Sequence, residues 1–296
     1  MKLYTFDNGD GVKRVGVELT GFPGLIRDVR DFGLPYRDMT DLIRRITPSE
    51  KERISDPEAA LDGRPLRLSS VRVCSPIPHP EQDIICLGVN YAAHADESAQ
   101  FDRKAFLLDR KKATYFSKRA YQTSGPDDLI PSYPELVTSL DYEAELAVII
   151  GRDCKNVCER DAAACIFGYT VLNDVSARNL QTEHNQWYFG KSLDGFTPMG
   201  PCIVTEDEIP YPPALSISST VNGELRQNSN TKYLLHSISE IIAELSQGMT
   251  LLAGTIIATG TPAGVGMGFD PPKFLKSGDV VTCEIEKIGR LTNMVK

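Results

Sequence analysis

Three acidic side chains, Asp141, Glu143 and Glu145, stand at alternate positions in DYEAELAVIIG, residues 141–151. In a strand, residues i and i+2 point to the same face. Glu143 and Glu145 would then lie side by side, with Tyr142, Ala144, Leu146, Val148 and Ile150 on the opposite, apolar face. The run Val148-Ile149-Ile150 favours a strand, and Gly151-Arg152-Asp153 reads as the turn that ends it. Two adjacent carboxylates repel, so one of them takes a raised pKa or a cation sits between them. Half of a metal site and a solvated strand end both fit this stretch.

Asp174 closes a second apolar strand, read over FGYTVLNDVS at 167–176, on the same face as Thr170 and Leu172. A carboxylate among such neighbours needs a partner. Arg178 is one candidate, and a cation shared with Glu143 and Glu145 is the other. Three carboxylates without a neighbouring Cys or His imply a hard ion with oxygen ligands, Mg2+, Mn2+ or Ca2+, and coordination positions left for water or substrate. Lys191, in FGKSLDGFTPMG, lies between glycines and aromatics, where it could neutralise acids or hold a substrate oxygen. His94 and Glu97 are three apart in HADE. On a helix they share a face, and Glu97 could orient His94 as a general base; a surface capping pair has the same spacing. The glycines at 260, 264, 266 and 268 in TGTPAGVGMG match neither dinucleotide nor phosphate-loop spacing. They read as a turn that brings backbone N–H groups and threonine hydroxyls near a small anion.

The elements that must hold these groups can be read along the chain. Leu3–Phe6 and Val15–Leu19 form a hairpin across DNGDG, which is not an EF-hand loop because Val12 stands where glycine is required. Residues 38–60 read as helical. The three prolines of CSPIPHP, 74–80, mark a boundary between a small N-terminal domain, 1–75, and a catalytic domain, 76–296. Within the second, 84–88 reads as a strand and NYAAHADES as a turn into a helix. LLHSISEIIAELS, 234–246, has helical apolar spacing at Leu235, Ile238, Ile241, Ile242 and Leu245. GTIIATGTPAGVG, 254–266, reads as a buried strand running into the glycine-rich turn.

The 296 residues carry 32 Lys and Arg against 40 Asp and Glu, a net charge of −8. That argues against a nucleic-acid surface, and it requires local cations to capture an anionic substrate. No apolar run approaches a membrane span, and the first residues lack an apolar signal core, so a cytoplasmic protein is expected. The seven cysteines lack zinc-site spacing and read as reduced and buried.

Six segments, LGVNYAAHADES, DYEAELAVIIG, GYTVLNDVSARNLQ, GKSLDGFTPMGP, VNGELRQNSNT and IIATGTPAGVG, together closely resemble the fumarylacetoacetate hydrolase family over roughly residues 80–296. The resemblance implies an α+β, β-rich fold: a mixed β-roll C-terminal domain behind a small α/β N-terminal domain. It also implies a homodimer and a divalent metal, Mg2+ or Mn2+, held by Glu143, Glu145 and Asp174. By the same resemblance, His94 and Glu97 match a lid pair, Lys191 a catalytic lysine, and Gln181 a substrate-facing glutamine with Arg178 beside it. Lys118 matches a lysine near the substrate, and Thr259, Gly260 and Thr261 match the substrate-carboxylate loop. Two departures are visible. Ala253-Gly254-Thr255 replaces a frequent Pro-Gly-Asp, and Asn90-Tyr91 stands where founding members place a fourth carboxylate, which leaves a three-carboxylate site. The implied activity is hydrolysis or isomerisation of 2-oxo or 1,3-dicarbonyl acids, of acylpyruvate or 2-hydroxy-dienedioate type, through an enolate, with a place in aromatic catabolism. A lyase of the same family (oxaloacetate decarboxylase, ureidoglycolate lyase or sugar-acid dehydratase) and a non-catalytic binder of metal and oxo-acid are the alternatives.

Overall fold

The computed structural model describes residues 1–106 and 109–296. The expected hairpin forms between β1 (Lys2–Asp7) and β2 (Lys13–Glu18), with Leu3 opposite Val17 and Thr5 opposite Val15. Asp7 accepts the amides of Gly9 and Gly11 and so shapes the turn. After β3 (Leu25–Asp28) come α1 (Met39–Arg45) and α2 (Pro48–Ser55), where sequence predicts helix. Thr47 and Glu50 close a reciprocal capping box on α2. The short strands β4 (Leu66–Arg67) and β5 (Arg72–Cys74) follow. Met39, Leu42, Ile43 and Ile54 pack on Leu3, Val15 and Val17.

The rest of the chain is built from short strands and shorter helices. β6 (Ile84–Gly88) leads into α3 (Ala92–Phe101) and α4 (Arg103–Phe106), then β7 (Thr114–Lys118), β8 (Leu129–Ile130) and β9 (Leu140–Asp141). The paired strands β10 (Ala144–Ile150) and β11 (Ile166–Asn173) come next. They are followed by β12 (Ser176–Ala177), α5 (Arg178–Glu183), α6 (Tyr188–Lys191) and β13 (Met199–Thr205). The last third holds β14 (Ser216–Val221), β15 (Glu224–Asn230), α7 (Ile238–Gly248), β16 (Ile256–Ala258), β17 (Val280–Ile285) and β18 (Gly289–Val295).

One large sheet runs β4-β3-β2-β1-β13-β11-β10-β16-β6-β7, with β5 on β1; a second runs β15-β14-β17-β18-β8. Both are mixed, because β6–β16 and β8–β18 are parallel. The large sheet crosses the Cys74–Pro80 segment without a break, since β1 pairs with β13 as well as with β2 and β5.

β10 explains the core. Ala144, Leu146, Val148 and Ile150 enter one apolar cluster with Ile217, Val281 and Leu291 of the second sheet. Ala147 and Ile149 enter the other, with Leu3 and Phe167. All seven residues are buried, so the strand is covered on both faces. Each Leu, Ile or Val so placed contributes about 1.5–3 kcal/mol.

Three expectations are corrected. The helix read from residue 234 starts at Ile238, because Ser237 accepts the Glu240 amide and caps it there; Leu235 lies outside and is 39% exposed. Cys158 is exposed while the other six cysteines are buried; its thiol donates to Asp161. Arg178 does not pair with Asp174: it opens α5 behind β12, whose pairing with β9 directs it to Asp141. Among the described residues, no helix is long and apolar enough to cross a membrane.

Candidate metal centre and active site

The acidic cluster is a product of strand register. β10 and β11 pair antiparallel with Ala144 opposite Asn173, so Glu143 at the entry of one strand lies beside Asp174 at the exit of the other. The Asp174 amide donates to the Glu143 carbonyl (2.9 Å), and Asn173 Oδ1 accepts the Glu143 amide (3.0 Å). Glu143, Glu145 and Asp174 each offer an oxygen within 4.8 Å of the others. Their exposures of 5%, 1% and 0% remove the solvated strand end from consideration.

Three cations are buried with them. Lys191 Nζ lies 2.8 Å from Glu143 Oε2 and 2.7 Å from Asp174 Oδ2. Arg178 reaches Glu143 Oε1 (2.7 Å) and Asp141 Oδ2 (2.8 Å). Lys118 lies behind Asp174, 2.7 Å from Oδ1, and donates to the Val175 and Lys191 carbonyls. Its approach to Oδ1 is an ion contact without hydrogen-bond alignment, and that oxygen has no hydrogen-bond partner among the described residues. Asp141, grouped with the acids in the sequence, serves the scaffold instead, accepting Arg178 Nε and the Gly266 and Met267 amides.

α3 brings the acid–base pair over this cluster. His94 Nδ1 lies 3.0 Å from Glu97 Oε2, and the imidazole is buried, so the pair is no surface cap. His94, Glu143, Arg178, Gln181, Lys191 and Thr261 line one pocket together with the aromatic side chains of Phe106, Phe116 and Trp187. Gln181 Oε1 accepts Arg178 Nη1 (3.0 Å), while Arg178 Nη2 has no hydrogen-bond partner among the described residues. The Thr259–Thr261 turn is stitched to β10: Thr259 Oγ1 donates to the Leu146 carbonyl, the Gly260 amide to Glu145 Oε2, and Thr261 Oγ1 to the Ala144 carbonyl. The Gly260 amide of this turn is therefore taken by Glu145, a carboxyl of the protein itself. The aromatic wall was not singled out in the sequence. Its one signal is Trp187, the only tryptophan, four residues before Lys191.

The description "Fumarylacetoacetate (FAA) hydrolase C-terminal" fits residues 83–296 as a family match. The chain belongs to the fumarylacetoacetate hydrolase family. It is 46% identical to the oxaloacetate tautomerase YisK of Bacillus subtilis over 77% of this chain and 74% of that one. It is 39% identical to the mitochondrial oxaloacetate tautomerase fahd2 of Xenopus laevis over 100% of this chain and 90% of that one. Among solved structures, the fumarylacetoacetate hydrolase of Exiguobacterium antarcticum superposes with a TM-score of 0.82 at 39% identity, over 100% and 99% of the two chains. The maleylpyruvate hydrolase of Sphingobium sp. SYK-6, solved with manganese(II) and pyruvate, gives 0.76 at 32% identity, over 100% and 98%.

The electrostatics of this family member fit a divalent cation. Four buried carboxylates, with Asp141 included, face three buried cations, leaving one negative charge in excess. Burial pushes Glu143 up, but Lys191 and Arg178 outweigh it and hold the carboxyl at about 2. Burial, reinforced by the charges of Asp174 and Glu143, drives Glu145 well above the carboxylate range. A proton and a cation would therefore compete for the Glu145 carboxylate. Burial pulls Lys191 down, yet Asp174 and Glu143 raise it overall, so it stays charged. All-oxygen donors, and an Asp174 Oδ1 that faces Lys118 without accepting a hydrogen bond, suit a hard ion such as Mg2+ or Mn2+.

Proposed function

We propose that this protein is a divalent-metal-dependent enzyme that interconverts the keto and enol forms of a small 2-oxo dicarboxylic acid of the oxaloacetate type. The observation that carries the reading is the His94–Glu97 pair, held at 3.0 Å, with His94 in a pocket that Lys191 and Arg178 also line. Glu143, Glu145 and Asp174 would hold the ion, which when bound supplies Lewis acidity to a 2-oxo carbonyl and its carboxylate.

The chain's own groups supply the rest. Arg178 Nη2 and Gln181 bind a substrate carboxylate. Glu97 accepts from His94 Nδ1–H, which leaves Nε2, 3.4 Å from Ser98 Oγ, as the nitrogen that can take a proton. Nε2 takes a proton from the carbon beside the 2-oxo group and returns it to oxygen. Lys191 stabilises the negative oxygen in between, an effect worth roughly 3 kcal/mol in comparable sites. The aromatic wall keeps water from the exchanging proton. No bond to carbon is made or broken except C–H, so the pair needs no second nucleophile.

Hydrolysis of acylpyruvates is the second reading, favoured by the full-length similarity to a maleylpyruvate hydrolase; there the same His94 would activate water. The test follows the ultraviolet absorbance of enol oxaloacetate with Mg2+ or Mn2+, alongside pyruvate release and acylpyruvate cleavage. Accelerated enol–keto exchange that is lost in His94→Ala supports the tautomerase. Acylpyruvate cleavage without that exchange contradicts it.

A further inference from the structure

Residues 264–268, in the turn downstream of β16, include three glycines whose reasons differ. Gly264 adopts a φ of +103°, a left-handed conformation that suits glycine. Gly266 and Gly268 lie outside the positive-φ region, so their backbone does not call for glycine. Space does. A methyl carbon on Gly268 would fall onto the Glu97 carboxylate, and one on Gly266 would lie 2.6 Å from Asp141 Oδ1.

The same turn donates its amides to those two carboxylates. Gly264 N–H reaches Glu97 Oε1 at 2.9 Å. Gly266 and Met267 N–H reach Asp141 at 2.6 and 3.0 Å. Glu97 in turn holds His94, and Asp141 holds Arg178. Tyr142 fastens the turn to the entry of β10 by donating to the Gly264 carbonyl (2.9 Å). Val265 and Met267 pack with Phe106 of α4, and Phe101 of α3 meets Phe274 edge-on. One five-residue turn therefore seats the carboxylate behind the base and the carboxylate behind the anion-binding arginine.

We infer that the 264–268 turn is a positioning seat for catalysis: Gly268 and the Gly264 amide set the depth at which Glu97 docks, and through Glu97 they aim His94. Charge-assisted bonds to buried amides are strong and directional. A shift of about 1 Å in a group aimed at a reacting atom costs about 100-fold in rate.

Gly268→Ala tests this, because it adds one methyl without changing the backbone conformation. The kinetic part rests on the tautomerase reading; the exchange part does not. Gly268→Ala is expected to lower kcat by about 100-fold with a much smaller change in KM. It is also expected to speed amide hydrogen exchange in α3 by about tenfold. In a Glu97→Ala background the methyl has room, so adding Gly268→Ala should change kcat by less than about twofold. Gly248→Ala, at the end of α7 where a methyl meets nothing and the backbone does not call for glycine, should leave α3 exchange unchanged. Equal losses in both backgrounds, or wild-type activity and α3 exchange in Gly268→Ala, overturn the seat. If the wild type shows no tautomerase activity, the reaction assignment fails, and exchange alone decides: faster α3 exchange in Gly268→Ala supports the seat, and unchanged exchange overturns it. Should Gly268→Ala fail to fold, a folded Glu97→Ala/Gly268→Ala double variant supports the seat, and an unfolded one overturns it.

Discussion

Glu145 is the residue on which the proposed metal centre turns. Its carboxyl is held well above the ordinary range by burial and by the neighbouring charges of Asp174 and Glu143. In the metal-free protein the folded state therefore keeps a proton that the unfolded chain loses near the ordinary carboxylate value. For a raised acid the folded state is penalised as pH climbs from the unfolded value through the folded one. A divalent ion must expel that proton. The expected outcome is Mn2+ affinity that rises with pH, with proton release measured by calorimetry in buffers of different ionisation enthalpy. Binding without proton exchange would contradict it. Glu143 runs the other way: with its carboxyl held at about 2, it contributes stability that is present above the ordinary value and lost as pH falls toward 2. Lys191 bridges Glu143 and Asp174. Lys191→Met is expected to lower kcat by about 100- to 1,000-fold, measured by enol-absorbance kinetics at saturating metal. It should cost folding stability as well, because a buried carboxylate pair loses its counter-charge.

Among the elements, period-two patterning was enough to predict β10 and its two faces. The face carrying Tyr142, Ala144, Leu146, Val148 and Ile150 is one core cluster, as alternation requires. What alternation could not show was that the other face is buried too, since that depends on strands far away in sequence. Local rules also set the wrong start for α7: Leu235 keeps the apolar period but precedes the Ser237 cap. Ser237→Ala should cost about 1 kcal/mol in urea unfolding and leave the enol-exchange rate unchanged. The pairing of Arg178 with Asp141 and not Asp174 likewise needed the β9–β12 register, which no local pattern gives.

Across the whole molecule, the site depends on continuity. β10 and β11 carry the carboxylates, β16 runs into the turn that seats Glu97, and β13 joins this group to β1. Sequence placed a boundary near residue 75 from its prolines, and a fragment of 76–296 is the natural check. That fragment would strip β1 from β13 and remove Leu3, Val15 and Val17 from the cluster that also contains Ile149 and Ile203. It is expected to aggregate or lose cooperative unfolding, read by size-exclusion chromatography and thermal melting; a soluble, two-state fragment would mark an independent domain. The candidate residues were legible because six segments with linked spacing resemble one family. The aromatic wall of Phe106, Phe116 and Trp187 was not, because its members come together only through the fold.

The proposed chemistry requires Glu143, Glu145 and Asp174 to bind one divalent cation jointly. Anomalous diffraction from a manganese-soaked crystal is the sharpest check. One peak coordinated by an oxygen from each of the three side chains, at about 2.0–2.3 Å, is the expected result. A peak elsewhere, or none at this cluster while manganese supports turnover, would contradict it.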